Sequence, residues 1–243
     1  MQRPGAASAS AAAVPAAQGA GGTGPTAASG GPCLLALPAA DAADVGVWQL
    51  GQQGSSSSRP SVLLKQQRSQ ERPRHGLCMA VALVQPQGST LHAVAGYEDG
   101  SVALWDVRRP NQPLASAKLH SEAIMCVAVA PDCTSGFSGS ADKHVSAFKL
   151  SIPRGQLRPS VQAALPEPGV ADVAVRGDGR IVASAGWDGR VRVWHARKWL
   201  PLAVLRWHSQ QVACVQFSAD GRLLAAGGRD NHISIWSIYA EAP

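Results

Sequence analysis

Four segments of the chain repeat one phrase: an aspartate, five residues, then an aromatic. They run from Asp99 to Trp105 (DGSVALW), Asp142 to Phe148 (DKHVSAF), Asp188 to Trp194 (DGRVRVW) and Asp230 to Trp236 (DNHISIW). Successive aromatics lie 43, 46 and 42 residues apart. A period of about 40–45 residues with this ending is the signature of a β-propeller blade, a small sheet that buries its faces only by stacking on its neighbours. Such stacks offer surfaces, so the repeat points to binding rather than chemistry.

Reading outward from the repeat gives an all-β, incomplete propeller of about four clear blades plus one degraded N-terminal blade. The clear blades span roughly 77–119, 121–165, 170–207 and 209–239, and the degraded one 33–65. Each clear blade shows an inner strand, a second strand, a tight turn holding the aspartate, and the strand that ends on the aromatic. In blade three the Pro-rich run IPRGQLRPS reads as a loop before an outer strand near 161–165. Blade five ends without a fourth strand. Residues 1–32 are almost wholly Ala, Gly, Pro, Ser and Thr. They hold too little apolar surface to offset the entropy of ordering, so they read as a disordered tail with no β-prone segment. Residues 240–243 form a short C-terminal tail.

The net charge is +6, with basic residues scattered through every segment. Two concentrations stand out. One holds Lys65, Arg68, Arg72 and Arg74, and the other Arg176, Arg180, Arg190, Arg192, Arg197 and Lys198. Neither is interleaved with stacking aromatics, so single-strand nucleic acid is not the expected partner. A solvated basic rim or a dock for an acidic protein are the two readings. No apolar stretch is long enough to span a bilayer as a helix. The five cysteines include no C-x-x-C pair and read as buried free thiols of a reducing compartment.

The repeat residues have a structural logic. The turn aspartate accepts backbone N–H groups of its own turn. An upstream histidine can donate to it, and a serine on the second strand can join that histidine to the indole N–H of the aromatic. Asp99 and Trp105 occupy these places in blade two. His120 and His208 each precede their aspartate by 22 residues, which puts both in one structural position. Blade three offers His120, Ser138 and Asp142, but Phe148 lacks a donor. Blade four offers Ser184, Asp188 and Trp194, with Pro166 where histidine would sit. Blade five offers His208, Asp230 and Trp236, with Ala226 in the serine's place. On this reading no blade carries the whole network.

Recurrence in register argues against catalysis, since an active site occurs once. The other histidines (His75, His92, His144, His195, His232) share no metal-ligand spacing. No phosphate loop, nucleophile elbow or zincin motif is present. No catalytic residue, cofactor, metal or small-molecule substrate is therefore expected. Trp187 stands directly before a turn aspartate, where a side chain can face a docking partner or pack within its own blade. Trp199 and Trp207 pose the same choice.

The blades resemble the WD-repeat family. Residues 76–239 resemble the C-terminal half of the guanine nucleotide-binding protein beta-subunit-like proteins, a group that includes the ASTRA-associated protein and the plant DECREASED SIZE EXCLUSION LIMIT protein. The likeness rests on GLCMAV (76–81), LHAVAGYEDGSVALWDVR (91–108), HSEAI (120–124), SAGWDGRVRVW (184–194), PLAVL (201–205) and ISIWSIY (233–239). It implies a seven-bladed, non-catalytic adaptor in the nucleus or cytoplasm. Its implied settings are chaperone-assisted maturation of phosphatidylinositol-3-kinase-like kinases or, in plants, development and cell-to-cell transport. A heterotrimeric G-protein beta-type subunit is the alternative. That would need an N-terminal amphipathic helix, which residues 1–32 cannot form. A full ring would need about two and a half more blades, so the expectation is an open arc or a piece of a longer protein.

Overall fold

Strands buried on both faces need small and β-branched residues at every position, and this chain supplies them in runs such as HAVAGY and SVALWD. The computed structural model describes residues 12–14, 33–39, 43–50, 59–66, 75–86 and 90–238. These form five sheets in chain order, each an antiparallel meander. Blade one comprises β1 (Ala12–Val14), β2 (Cys33–Pro38), β3 (Val45–Leu50) and β4 (Val62–Leu64). Blade two comprises β5 (Cys78–Val84), β6 (His92–Tyr97), β7 (Ser101–Asp106) and β8 (Ala115–Lys118). Blade three comprises β9 (Ile124–Val129), β10 (Ser135–Ser140), β11 (His144–Ser151) and β12 (Gln156–Ala164). Blade four comprises β13 (Val170–Val175), β14 (Ile181–Gly186), β15 (Arg190–His195) and β16 (Leu200–Arg206). Blade five has three strands, β17 (Val212–Phe217), β18 (Leu223–Gly228) and β19 (Ile233–Ser237).

Inner strands stack in sequence: β2 and β1 against β5, then β5 against β9, β9 against β13, and β13 against β17. Apolar clusters fill the spaces between successive sheets. Trp105 and Tyr97 meet Val45 and Leu64 between blades one and two, and Phe148 meets Val102 and Leu104 between blades two and three. Phe137 and Trp194 fill the next space, and Val193, Phe217 and Leu224 the last. Blade two, covered on both sides, buries all of β6 and β7. Blade five shows the same motif with one face uncovered. Burial then alternates along β19, and Ile233 and Ile235 are 74% and 67% exposed.

Two expectations change. Ala12–Val14, in the stretch read as a disordered tail with no β-prone segment, pairs antiparallel with β2 as the inner strand of blade one. The rest of the segment 1–32 lies outside the described residues, as do residues 239–243, which take in the short C-terminal tail. The outer strand of blade three begins at Gln156 rather than near 161, after a single 3-10 turn (Ile152–Arg154) closed by Gly155 at φ +57. Pro159 is tolerated there because β12 is an edge strand, and the pairing with β11 shifts register beside it.

The cysteines divide as well. The four whose side chains are described are free: Cys78 and Cys126 are buried as read, but Cys133 is half-buried and Cys214 lies on the uncovered face of blade five. Burial pushes the Cys78 thiol up to about 12, although a backbone hydrogen bond at Ala80 opposes this. It is a core residue, not a nucleophile.

Candidate functional site

The turn aspartates organise one end of every clear blade. Each carboxylate accepts the N–H two residues on: Ser101 to Asp99 at 2.9 Å, His144 to Asp142 at 2.8 Å, Arg190 to Asp188 at 3.3 Å and His232 to Asp230 at 3.2 Å. Glycine in the turn lets the next blade approach. Gly100 has φ +84, and a Cβ there would lie 2.2 Å from the His120 carbonyl, which belongs to the link entering blade three. The histidine that serves the next blade's aspartate therefore sits at a seam between sheets.

In blade three the His120 Nδ1–H donates to Asp142 at 3.0–3.1 Å, and Ser138 Oγ lies 2.9 Å from Nε2. Burial pulls His120 below its ordinary value of 6.5 and outweighs the attraction of Asp142, so the ring is neutral at physiological pH. This has the connectivity of a Ser-His-Asp triad. However, Ser138 is fully buried in the middle of a sheet, and no substrate carbonyl can reach its Oγ. The arrangement is a strut.

Blade five completes the network that the sequence leaves open. His208 Nδ1 donates to both oxygens of Asp230 at 3.1 Å. Its Nε2 meets Ser234 Oγ at 2.9 Å, and the Trp236 indole N–H donates to the same oxygen at 3.0 Å. Ser234 sits directly across the sheet from Ala226, so the hydroxyl has moved one strand over. Ser234→Ala should cost about 1–2 kcal/mol by stranding two partners, and adding Ala226→Ser should restore most of it. Denaturant midpoints of the two variants measure this. A Ser234→Ala midpoint equal to that of the parent would show that the hydroxyl contributes nothing.

Blade four solves the missing histidine differently. The Arg192 guanidinium makes two bonds to the Asp188 carboxylate, at 3.1 and 2.6 Å. Trp194 donates to Ser184 Oγ at 3.0 Å. In blade two the part of the histidine falls to His75, whose Nδ1 is 2.8 Å from Asp99. The Tyr97 hydroxyl accepts the Trp105 indole N–H at 3.1 Å in place of a serine. His75, Tyr97, Arg192 and Ser234 were not singled out from the sequence as members of these networks. His75 precedes Asp99 by 24 residues rather than 22, and the other three are visible only once strands are set in register. Asp172 is a further one: its carboxylate accepts the Val215 N–H at 2.9 Å and so joins the inner strands of blades four and five. Burial raises its pKa, and backbone hydrogen bonds from Val215 and Val173 oppose the rise.

The three tryptophans part company. Trp199 is stacked between Phe137 and Trp194, at 5.4 and 5.6 Å between ring centres, and belongs to the core. Trp187 is 37% exposed at the turn end of blade four. Its indole lies on Gly169, where a Cβ would come within 2.1 Å of the ring, and the Trp187 backbone N–H donates to the Gly169 carbonyl at 2.9 Å. Trp207 is 53% exposed and packs edge-on against His208 and His232 at 5.0 and 5.5 Å. The two exposed rings are on adjoining segments, because a Cβ at Gly189 would touch the His208 and Gln210 carbonyls.

Comparison with known proteins agrees with this architecture. The model of the WD domain, G-beta repeat, matches residues 111–148, 161–195 and 199–237. Guanine nucleotide-binding protein subunit beta-like protein 1 of Mus musculus is 38% identical over 162 residues, which is 66% of this chain and 48% of the mouse protein. ASTRA-associated protein 1 of Verticillium alfalfae is 32% identical over 157 residues, 60% of this chain and 37% of the fungal one. That of Penicillium rubens is 28% identical over 214 residues, 76% of this chain and 46% of its own length. The chain thus spans half or less of the length of these relatives. Repeat, sheets and relatives converge: the chain is a WD-repeat protein of the group that holds these beta-like and ASTRA-associated proteins.

Proposed function

We propose that the chain is a non-catalytic adaptor that holds other proteins on the turn end of blades four and five, in the nucleus or cytoplasm. The observation that supports this most directly is the pair of exposed indoles, Trp187 and Trp207, each immobilised by its own packing. Aromatic anchors ordered before binding lose little entropy on docking and are the usual centres of protein interfaces. Relatives named for association with ASTRA favour a place in a large assembly of that kind. The finer proposal is assistance to chaperones that mature phosphatidylinositol-3-kinase-like kinases.

Affinity purification of the chain from its native source, with identification of bound proteins, tests both levels. Trp187→Ala should weaken capture about tenfold or more, with the unfolding free energy changed by no more than about 1 kcal/mol. Unchanged capture by a folded variant would remove Trp187 from the interface. Kinase-maturation chaperones in the bound set support the finer reading, whereas a G-protein gamma subunit overturns it.

A further inference from the structure

At the opposite end of the sheets from Trp187, the third-to-fourth-strand links of blades two and three border an open cavity of about 360 Å³. Arg108 and Arg109 come from one link and Arg154 from the other, and all three are exposed. Leu114 and Ile152 form an apolar floor. One carboxylate, Asp106, also lines the cavity, but it is engaged at home: it accepts the Arg108 N–H at 2.9 Å and lies 3.8 Å from Arg108 Nε. Arg109 and Arg154 have no carboxylate partner among the described residues.

His92 adds a polar group from below. Its ring is buried, and Nδ1–H donates to the Thr90 carbonyl at 2.7 Å. That bond places the proton on Nδ1 and leaves Nε2 as the acceptor nitrogen of the ring.

We propose that this cavity is a docking site for an acidic peptide segment of a partner protein, one that seats an aliphatic side chain between flanking carboxylates. The floor suits the aliphatic group, and the two unpaired guanidiniums offer bidentate recognition to carboxylates on either side. The site is independent of the surface around Trp187 and would engage a second segment or a second partner.

The test uses the full chain and a fluorescent peptide of sequence Glu-Asp-Glu-Leu-Glu-Asp, followed by anisotropy. Binding should weaken as salt rises, because the guanidiniums are exposed. Arg109→Glu with Arg154→Glu should weaken it tenfold or more. Arg197→Glu with Lys198→Glu is the control: these residues sit on the equivalent exposed link of blade four and do not line the cavity. That pair should leave affinity within about twofold, the range of a long-range, screened charge effect. Replacing the central Leu of the peptide by Ser should weaken binding several-fold. Failure of the peptide to bind, equal losses in both double variants, indifference to the Leu replacement, or displacement by an RNA oligomer at lower concentration would each overturn the proposal. All four arginine and lysine positions are exposed, and unchanged thermal unfolding of each variant keeps the readings interpretable.

Discussion

Trp105→Ala should remove about 3–5 kcal/mol of stability, the largest loss expected from any single truncation in this chain. The side chain is fully buried, between blades one and two. It touches the cluster containing Val45 and Leu64 as well as its own sheet, so its removal opens a cavity at an interface between repeats. In a stacked array, stability is close to a sum of blade and interface contributions. Loss at this seam should therefore loosen blade one as well as blade two, and hydrogen exchange should quicken in β2 and β3. Trp105→Phe separates volume from hydrogen bonding. Phe148 already fills the same position in blade three, with its ring over Gly136. The Phe variant keeps most of the contact area and loses the bond to Tyr97, a cost of about 1–2 kcal/mol. Guanidinium unfolding followed by circular dichroism reads both. A loss under about 1 kcal/mol for Trp105→Ala would contradict the role assigned to the seam.

Arg192→Met should destabilise the chain by about 3 kcal/mol, because it leaves a carboxylate in a site built for a cation. The Arg192 and Asp188 side chains are 6% and 10% exposed, so water can solvate the stranded charge only in part. The double variant Asp188→Asn with Arg192→Met should recover much of the loss, since the charge is gone while the amide oxygen can still accept the turn N–H. Acid gives a second signature. Burial pushes the Asp188 carboxyl up, but the Arg192 hydrogen bonds and charge outweigh burial and hold it below its ordinary 3.8. With the folded value below the unfolded one, the stabilisation is complete above 3.8 and disappears as pH falls through the folded value. In the Met variant burial is no longer opposed by the guanidinium, and protonation relieves the stranded charge. The gap between parent and variant should accordingly narrow as pH drops toward 4. A gap that widens on acidification would show that the pair does not behave as a buried ion pair.

These networks show how far a linear reading reaches. The spacing of 22 residues places His120 and His208 beside Asp142 and Asp230, because the link, inner strand and hairpin between them have equal length in both blades. The same spacing fails for His75, where two extra residues intervene. It also fails for Arg192, which reaches Asp188 from the next strand of the same hairpin. Ser234 stands in for a serine absent at Ala226 because cross-strand neighbours share a face of the sheet, a relation that register defines and sequence distance does not. The Pro-rich run of blade three read as a loop because proline is excluded from strand interiors. An edge strand lifts that restriction, and edges are assigned only when the sheet is assembled.

Along the chain itself, turn chemistry and the repeat period were enough to determine the all-β class, the order of the strands and the position of each acidic turn. Both are local: a tight turn, its aspartate and its flanking β-prone strands lie within about ten residues of one another. Tertiary structure alone decided which side chain completes each network, why identical motifs are buried in blade two and half-exposed in blade five, and how Arg109 and Arg154 come to face one cavity. The reason is physical. Burial, hydrogen-bond reach and charge pairing depend on distances of a few ångströms between residues some 20 to 45 positions apart, and the stacking of one sheet on the next sets those distances.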